Sequence, residues 1–179
     1  MVTQVDDTLL KGAPFGTLKS AGIQFGDGIV TEIAWTGLPS GMSEVYLILD
    51  DWRQIGSNSL PAIQMGSAAG GYSGAAYSGS ATTFVNTTLK VANHFNGFYL
   101  RGLAWTDNGE RDYGVIHLVR MDPVNHIWSC TGILGRNDSN DNSLTAGGKT
   151  LNAGNELDRI RIFQTGTVHA STSAELLYR

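Results

Sequence analysis

The stretch Leu157-Asp158-Arg159-Ile160-Arg161-Ile162 decides the fold class of this chain. Ile160 and Ile162 are two residues apart, so a β-strand places both side chains on one face. A second stretch, Ala174-Glu175-Leu176-Leu177-Tyr178, is also typical of a strand. No segment shows a long helical periodicity or a recognisable catalytic motif. The patterning therefore favours an all-β protein with a structural or binding role.

Turn-forming residues separate many short apolar segments along the chain. Gly37-Leu38-Pro39-Ser40-Gly41 ends one such segment, and Asn108-Gly109 is typical of a hairpin turn. The 98–105, 113–121 and 126–133 segments are expected to form a meander. The 66–80 segment is either a ribbon or a long loop, and 82–96 contains either a short strand or a helical turn. In all, strands are predicted at 31–36, 44–52, 60–65, 98–105, 113–121, 126–133, 143–151, 156–165 and 173–178.

Eight to ten strands with closely spaced turns predict a jelly-roll-like antiparallel β-sandwich. The 179 residues, 41% of them apolar, suffice for one well-filled domain with an extra arm. Residues 1–30 are predicted to be an irregular N-terminal arm and 31–179 the β-sandwich domain. The arm either orders against a partner protein or is a disordered terminus or a first irregular strand pair. Its candidate anchoring residues are Leu9, Leu10, Phe15, Leu18 and Phe25.

Charge and composition exclude several classes of protein. A net charge of −4 argues against nucleic-acid binding, which normally needs a basic face. No apolar run approaches the ~18 residues of a spanning helix, and residues 1–7 lack the features of a secretory signal. The single cysteine, Cys130, fits assembly in a reducing cytoplasm. Only 16% of the residues are charged, which suits a surface partly covered by neighbouring subunits.

The residues that could carry chemistry do not form a recognisable site. Asp50 and Asp51 are adjacent, so a strand points them to opposite faces, and a role in a strand-end turn is expected. The 137–143 segment resembles a calcium loop but has Ser143 in place of glycine and Lys149 in place of glutamate, which favours a solvated loop. The histidines lack metal-ligand spacing, and Cys130 is expected to be a buried, inert thiol. We therefore predict no catalytic residue, no metal and no cofactor.

Several fragments resemble, in the same order, motifs of the β-sandwich domain found near the C-terminus of bacteriophage tail fibres and related virion proteins. The resemblance covers roughly 35–178. The sequence departs from that family at Val168-His169-Ala170-Ser171, which replaces the usual Phe-Asp-x-Gly, and at 82–96, which has no obvious counterpart. The fragments are Trp35-Thr36-Gly37-Leu38-Pro39-Ser40-Gly41, Ser57-Asn58-Ser59, Ile63-Gln64-Met65-Gly66, Gly71-Tyr72-Ser73, Tyr113-Gly114-Val115-Ile116-His117-Leu118, Ile127-Trp128-Ser129-Cys130-Thr131-Gly132 and Leu157 to Ile162.

The resemblance implies a homotrimeric virion component that is assembled in the host cytoplasm. The first hypothesis is a short tail fibre whose arm docks on the tail or baseplate and whose sandwich binds a host-surface glycan or protein. The alternatives are a capsid cement or head-decoration protein and a free-standing carbohydrate-binding module. Neither membrane insertion nor nucleic-acid binding is expected.

Aromatic rings near loops are the candidate receptor contacts, because sugar CH groups pack on flat rings while amides meet hydroxyl groups. The alternative for Trp52 and Trp105 is a place in the core or in a subunit interface, where aromatic residues are also enriched. The candidate receptor-binding residues are Trp105, Asn108, Trp52, Tyr72 and Tyr77.

Overall fold

The computed structural model describes residues 17–55, 60–85, 87–104, 111–136, 141–151 and 155–179. Every regular element within these ranges is a β-strand. The strands are β1 (Lys19–Phe25), β2 (Glu32–Trp35), β3 (Glu44–Trp52), β4 (Gln54–Ile55), β5 (Ala62–Ser67), β6 (Gly71–Tyr72), β7 (Tyr77–Val85), β8 (Thr88–Asn93), β9 (Phe98–Tyr99), β10 (Asp112–Asp122), β11 (Ile127–Arg136), β12 (Asn142–Thr150), β13 (Arg159–Phe163), β14 (Thr167–Val168) and β15 (Ser173–Tyr178).

These strands form two main antiparallel sheets. The large sheet has eight strands in the order β1-β15-β3-β10-β11-β12-β7-β8. The small sheet has the order β2-β13-β5-β6, and β9 also pairs with β5. A short ladder joins β14 to β4. The predicted all-β antiparallel β-sandwich is therefore confirmed.

The core lies between the two sheets and follows the two-residue period of the strands. In β3, Val45, Leu47 and Leu49 are buried while the residues between them are more exposed. In β13, Ile160 and Ile162 are both fully buried. Ile160 pairs with Trp35 on one side and Met65 on the other, so both neighbouring strands contribute to its surroundings. Most of β13 thus comes from the Leu157 to Ile162 stretch, and β13 is an inner strand of the small sheet.

The predicted meander is wrong in its first strand. Within 98–104, the described part of this segment, only Phe98 and Tyr99 form a strand, and they pair with β5 in the small sheet. The meander is instead β10-β11-β12. Alternation of apolar residues predicts a strand but does not identify the sheet that the strand joins. The proposed Asn108-Gly109 turn lies outside the described residues.

Two segments that the sequence left open are now assigned. The 66–80 segment contains the end of β5, all of β6 and the start of β7. In 82–96, the strand alternative holds for the described residues, because β7 and β8 pair as a hairpin from Ser80↔Asn93 to Val85↔Thr88. This hairpin forms one edge of the large sheet.

The described part of the predicted arm includes a strand of the large sheet. Within 17–30, β1 pairs with β15 through an irregularity between Ser20 and Ile23. The indole Nε1 of Trp35 donates a hydrogen bond to the Gly22 carbonyl at this irregularity, 3.0 Å away. Because Trp35 belongs to β2, this bond ties the edge of the large sheet to the small sheet.

Candidate functional site

The large sheet gives the molecule two distinct ends. At one end, Lys19 of β1 lies beside Tyr178 of β15, and the backbone of Glu44 pairs with that of Arg179. We call this the terminal pole. At the other end, Asp50 of β3 pairs with Ser173. We call this the loop pole, because β3 and β10 reach it next to segments 56–59 and 105–110, which lie outside the described residues.

A β-bulge at the loop pole turns one carboxylate out of the strand pattern. Gly114 of β10 pairs with Leu49, whereas Asp112 pairs with Trp52, so β3 has one extra residue between these pairs. Asp51 has a φ of 53°, a conformation that residues other than glycine seldom adopt. Bulges of this kind redirect a side chain. The expected strand-end role of Asp51 is consistent with this geometry.

The Asp51 carboxylate is surrounded by donors from three parts of the chain. Arg53 Nη2 and Ser171 Oγ donate to Oδ2 at 2.6 and 2.8 Å. The Arg111 guanidinium lies 3.6 Å from Oδ1. Burial opposes ionisation of Asp51, but these hydrogen bonds and positive charges outweigh it and lower its pKa. The ionised carboxylate therefore links Arg53, Arg111 and Ser171 at the loop pole.

Serine, histidine and aspartate meet at this pole, but in an order that differs from a catalytic triad. Ser171 Oγ lies between the two other groups, 2.9 Å from His169 Nδ1 and 2.8 Å from the Asp51 carboxylate. His169 Nδ1 also accepts the Ser171 backbone N–H. In a triad the imidazole lies between the carboxylate and the hydroxyl. Here the arrangement closes a local turn, and the prediction of no catalytic residue stays a prediction.

One face of the large sheet turns away from the core and carries no charged side chain over five strands. We call it the outer face. None of its residues is Asp, Glu, Lys or Arg, and His117 is its only histidine. It consists of alternate residues from Tyr113 to Val119 in β10, Ser129 to Gly135 in β11, Asn142 to Gly148 in β12, Ser78 to Phe84 in β7 and Leu89 to Asn93 in β8.

The outer face has a mainly apolar row near its centre, a neighbouring row that includes Tyr113, Phe84 and Leu89, and mostly small residues toward the terminal pole. Val115, Ile133 and Leu144 lie opposite one another in one row, which Thr82 and Val91 continue. Six apolar residues of the face are 44–64% exposed, namely Phe84, Leu89, Val91, Val115, Ile133 and Leu144. An open depression of about 740 Å³ lies over β10, β11 and β12. Contiguous exposed apolar residues of this kind are typical of an interaction surface.

Charged groups appear where the outer face meets β3. The His117 ring stacks on Tyr46 with their centroids 4.2 Å apart. Glu44 accepts hydrogen bonds from the Tyr46 hydroxyl at 2.9 Å and from Arg179 Nη2 at 2.6 Å. Burial opposes ionisation of Glu44, but these bonds outweigh it and lower its pKa. An apolar centre with a polar border is the usual anatomy of a protein interface.

The predicted receptor-binding residues fall into three groups. Trp52 and Tyr77 are buried in the core, so the prediction that they contact a receptor is wrong for this fold. Tyr72 is half-buried, and one ring face is covered by the Arg161 guanidinium, 4.4 Å from the centroid. Trp105 and Asn108 lie outside the described residues, so their role stays a prediction.

The predicted anchoring residues fall partly outside the described ranges, as Leu9, Leu10 and Phe15 do. Leu18 and Phe25 are described and exposed. Ile23 and Ile29 are exposed as well and were not among the predicted anchoring residues. Their apolar character is visible in the sequence, but only the structure shows that Ile23 in β1 and Ile29 after it are left exposed.

A buried lysine was also missed by sequence analysis. Lys149 of β12 points into the core and is only 2% exposed. Its ammonium donates to Ser73 Oγ at 2.9 Å and to the Ala75 carbonyl, and it lies 4.7 Å from the Tyr77 ring centroid. Burial lowers the pKa of this amine. Lys149 thus ties the segment between β6 and β7 to the large sheet.

The remaining candidate groups do not come together as a site. Burial raises the pKa of the Cys130 thiol, which is almost inaccessible, as expected of an inert cysteine. Among the described residues, no group of three or more histidine, cysteine or carboxylate side chains could hold a metal. The 137–143 loop is described only from Asp141, which pairs with Arg136. No helix within the described ranges is long and apolar enough to cross a membrane.

A scan against protein-family models and a search of curated proteins both found no match to this chain.

Proposed function

We propose that this chain is a structural protein of a bacteriophage virion, a short trimeric tail fibre. Its N-terminal segment joins the tail or baseplate, and its β-sandwich binds a glycan or protein on the host surface. The proposal begins from the resemblance of 35–178 to tail-fibre domains. The observation that carries it further is the separation of the terminal pole from the loop pole.

The two poles are far enough apart to serve different partners. β3 runs from Glu44 at the terminal pole to Trp52 at the loop pole. Nine strand residues at roughly 3.3 Å each extend about 30 Å. Residues 1–16 continue from Thr17, which precedes Lys19 at the terminal pole. An N-terminal attachment therefore leaves the loop pole pointing away from the particle.

The β1 edge offers a surface for contact with another protein. Leu18 is exposed at the terminal pole, and Ile23, Phe25 and Ile29 are exposed farther along β1 and the following turn, toward the loop pole. β1 is also an edge strand, since the described residues pair with it only through β15. Exposed apolar side chains beside an open sheet edge favour contact with another protein.

The loop pole has groups that suit a polar receptor. The Arg111 side chain is 42% exposed, and Ser171 is exposed beside it around Asp51. Arg111 directly follows 105–110, which carries Trp105 and Asn108. The described guanidinium and hydroxyl can bond to the hydroxyl groups of a sugar. The indole and amide that precede Arg111 in the sequence are of the kinds that meet sugar faces and hydroxyl groups.

Particle labelling tests the virion assignment. We expect gold-conjugated antibody against the purified chain to label the tail of the phage. Label over the capsid would instead favour the head-decoration alternative and refute the fibre. An absence of label from all particles, with glycan binding by the free protein, would favour the carbohydrate-binding module.

Deletion of residues 1–16 tests the attachment. This deletion spares β1, whereas removal of 1–30 would also take away an edge strand of the sheet. We expect the shortened chain to fold and to bind host cells but to be missing from particles. Incorporation at the level of the full-length chain would contradict the proposal.

A substitution of Arg111 tests the proposed receptor contact at the loop pole. We expect Arg111→Ala to weaken binding of the purified protein to host cells at least several-fold. Val124→Ala is the control, because Val124 is exposed in the β10–β11 turn, near the terminal pole. Equal binding by the Arg111 variant and the full-length parent would place the receptor contact elsewhere.

A further inference from the structure

The outer face needs a covering surface that the single chain does not provide. Solvent-facing sheets of soluble proteins normally carry charged residues of both signs, yet none occurs on this face over five adjacent strands. Val115, Ile133 and Leu144 are adjacent in one row, and Ile133 is the most exposed apolar residue of the face. The question is which partner this face fits.

We propose that the outer faces of the copies of this chain pack against one another around the symmetry axis of the assembly, with Leu144 nearest that axis. This inference rests on the proposed function, because it names the surface through which the subunits of the fibre meet. Leu144 belongs to β12, the middle strand of the five, and lies in the central apolar row.

The lack of charge is the first argument for a second copy. In a symmetric contact, residues close to the axis meet their own counterparts, so a charge there would face a like charge. The outer face has no charged side chain on any of its five strands, so no like charges would meet. A different protein partner could be matched by complementary charges, and the face offers none for that purpose. The charged group around Glu44 lies at its border instead.

The area of the outer face and its row of small side chains also favour contact between copies of the chain. Five strands spaced about 4.8 Å apart, each contributing roughly 25 Å of length, give an area of about 600 Å² per copy. Three copies around the axis would then bury about 1,800 Å² in all, which is within the range of specific interfaces. Thr131, Ala146 and Ser80 form a row of small side chains next to the apolar row. Small residues let two sheets approach to about 10 Å.

A single charge at the centre tests the proposal. Light scattering of the purified wild-type chain is expected to give a multiple of the 19.1 kDa subunit mass. We expect Leu144→Lys to reduce this to the mass of one subunit while the circular dichroism spectrum stays that of a folded β protein. Val124→Lys is the matched control, an exposed apolar residue outside the face, and should keep the wild-type mass.

A charge-reversal pair tests whether the face meets itself. Leu144→Lys and Leu144→Glu, carrying different affinity tags, should each be a monomer alone and should be purified together when co-expressed. A folded Leu144→Lys protein with the wild-type mass would overturn the proposal, as would a monomeric wild-type chain or a pair that does not associate. These outcomes are independent of the particle label, which can place the chain on the tail even if another surface joins the subunits.

Discussion

Truncation of Ile160 is the sharpest test of the core described above. Ile160 is fully buried in the central strand of the small sheet, between Trp35 of β2 and Met65 of β5. Ile160→Ala removes buried methyl and methylene groups and leaves a cavity where both neighbouring strands are fixed. Such changes cost about 2–5 kcal/mol in free energy of unfolding, a large share of the roughly 5–15 kcal/mol of a typical domain.

Chemical denaturation at one fixed protein concentration measures this loss, because assembly makes apparent stability depend on concentration. We expect a lower midpoint with an unchanged slope, and a melting temperature reduced by roughly 4–20 °C. Ile29→Ala is the matched control, since Ile29 is 78% exposed, and it should change the stability by no more than about 0.5 kcal/mol. Ile160→Asp, which also buries a carboxylate, should prevent folding. Equal midpoints for Ile160→Ala and the wild type would refute the assigned facing of β13.

Three further predictions concern buried and strained polar groups. The pKa of Asp51 is lowered in the fold. Its contribution to the free energy of unfolding is therefore complete above the ordinary pKa of 3.8 and is lost as the pH falls through the lower folded pKa. Asp51→Asn should lower this free energy by about 1–3 kcal/mol at pH 7 and flatten its acid dependence, and parallel curves of stability against pH for the variant and the wild type would contradict this. Tyr77→Phe removes the hydroxyl oxygen that accepts the buried Met65 N–H at 2.8 Å. The loss should lower the free energy of unfolding by about 1–3 kcal/mol, measured by thermal melting. An unchanged melting temperature would show that another acceptor replaces the hydroxyl. The pKa of Lys149 is lowered in the fold, so wild-type stability should rise with pH between the folded pKa of this amine and its ordinary value of 10.5. Lys149→Met should abolish this rise without loss of stability at pH 7. A large loss of stability at pH 7 would mean that the cation stabilises the fold.

The fold class could be predicted from the sequence because the central strands follow a two-residue period. Ile160 and Ile162 in β13, and Leu47 and Leu49 in β3, show this alternation directly in the chain. What alternation cannot give is the partner of a strand. Phe98 and Tyr99 pair with β5 across more than thirty residues of sequence, and only tertiary contacts decide such a pairing.

The candidate site was harder to predict, because exposure depends on both sheets. Trp52 lies at the end of a strand, where the sequence indicates a nearby loop, yet its side chain is completely buried in the core. The outer face shows the opposite case. Its residues are separated along the chain between Ser78 and Gly148, and only the register of five strands shows that the charge-free positions share one surface.

The pairing of β1 with β15 determines how the molecule responds to force. A pull on residue 17 against a surface held at the loop pole acts along β1, so the backbone hydrogen bonds from Lys19 to Phe25 are loaded together in shear. A pull between residue 17 and Arg179 would instead peel the two strands apart one bond at a time, because both leave the sheet at the same pole. The bond from Trp35 to Gly22 further resists sliding of β1. Shear along β1 is therefore resisted more strongly than peeling, and it is the direction in which the proposed fibre would be loaded.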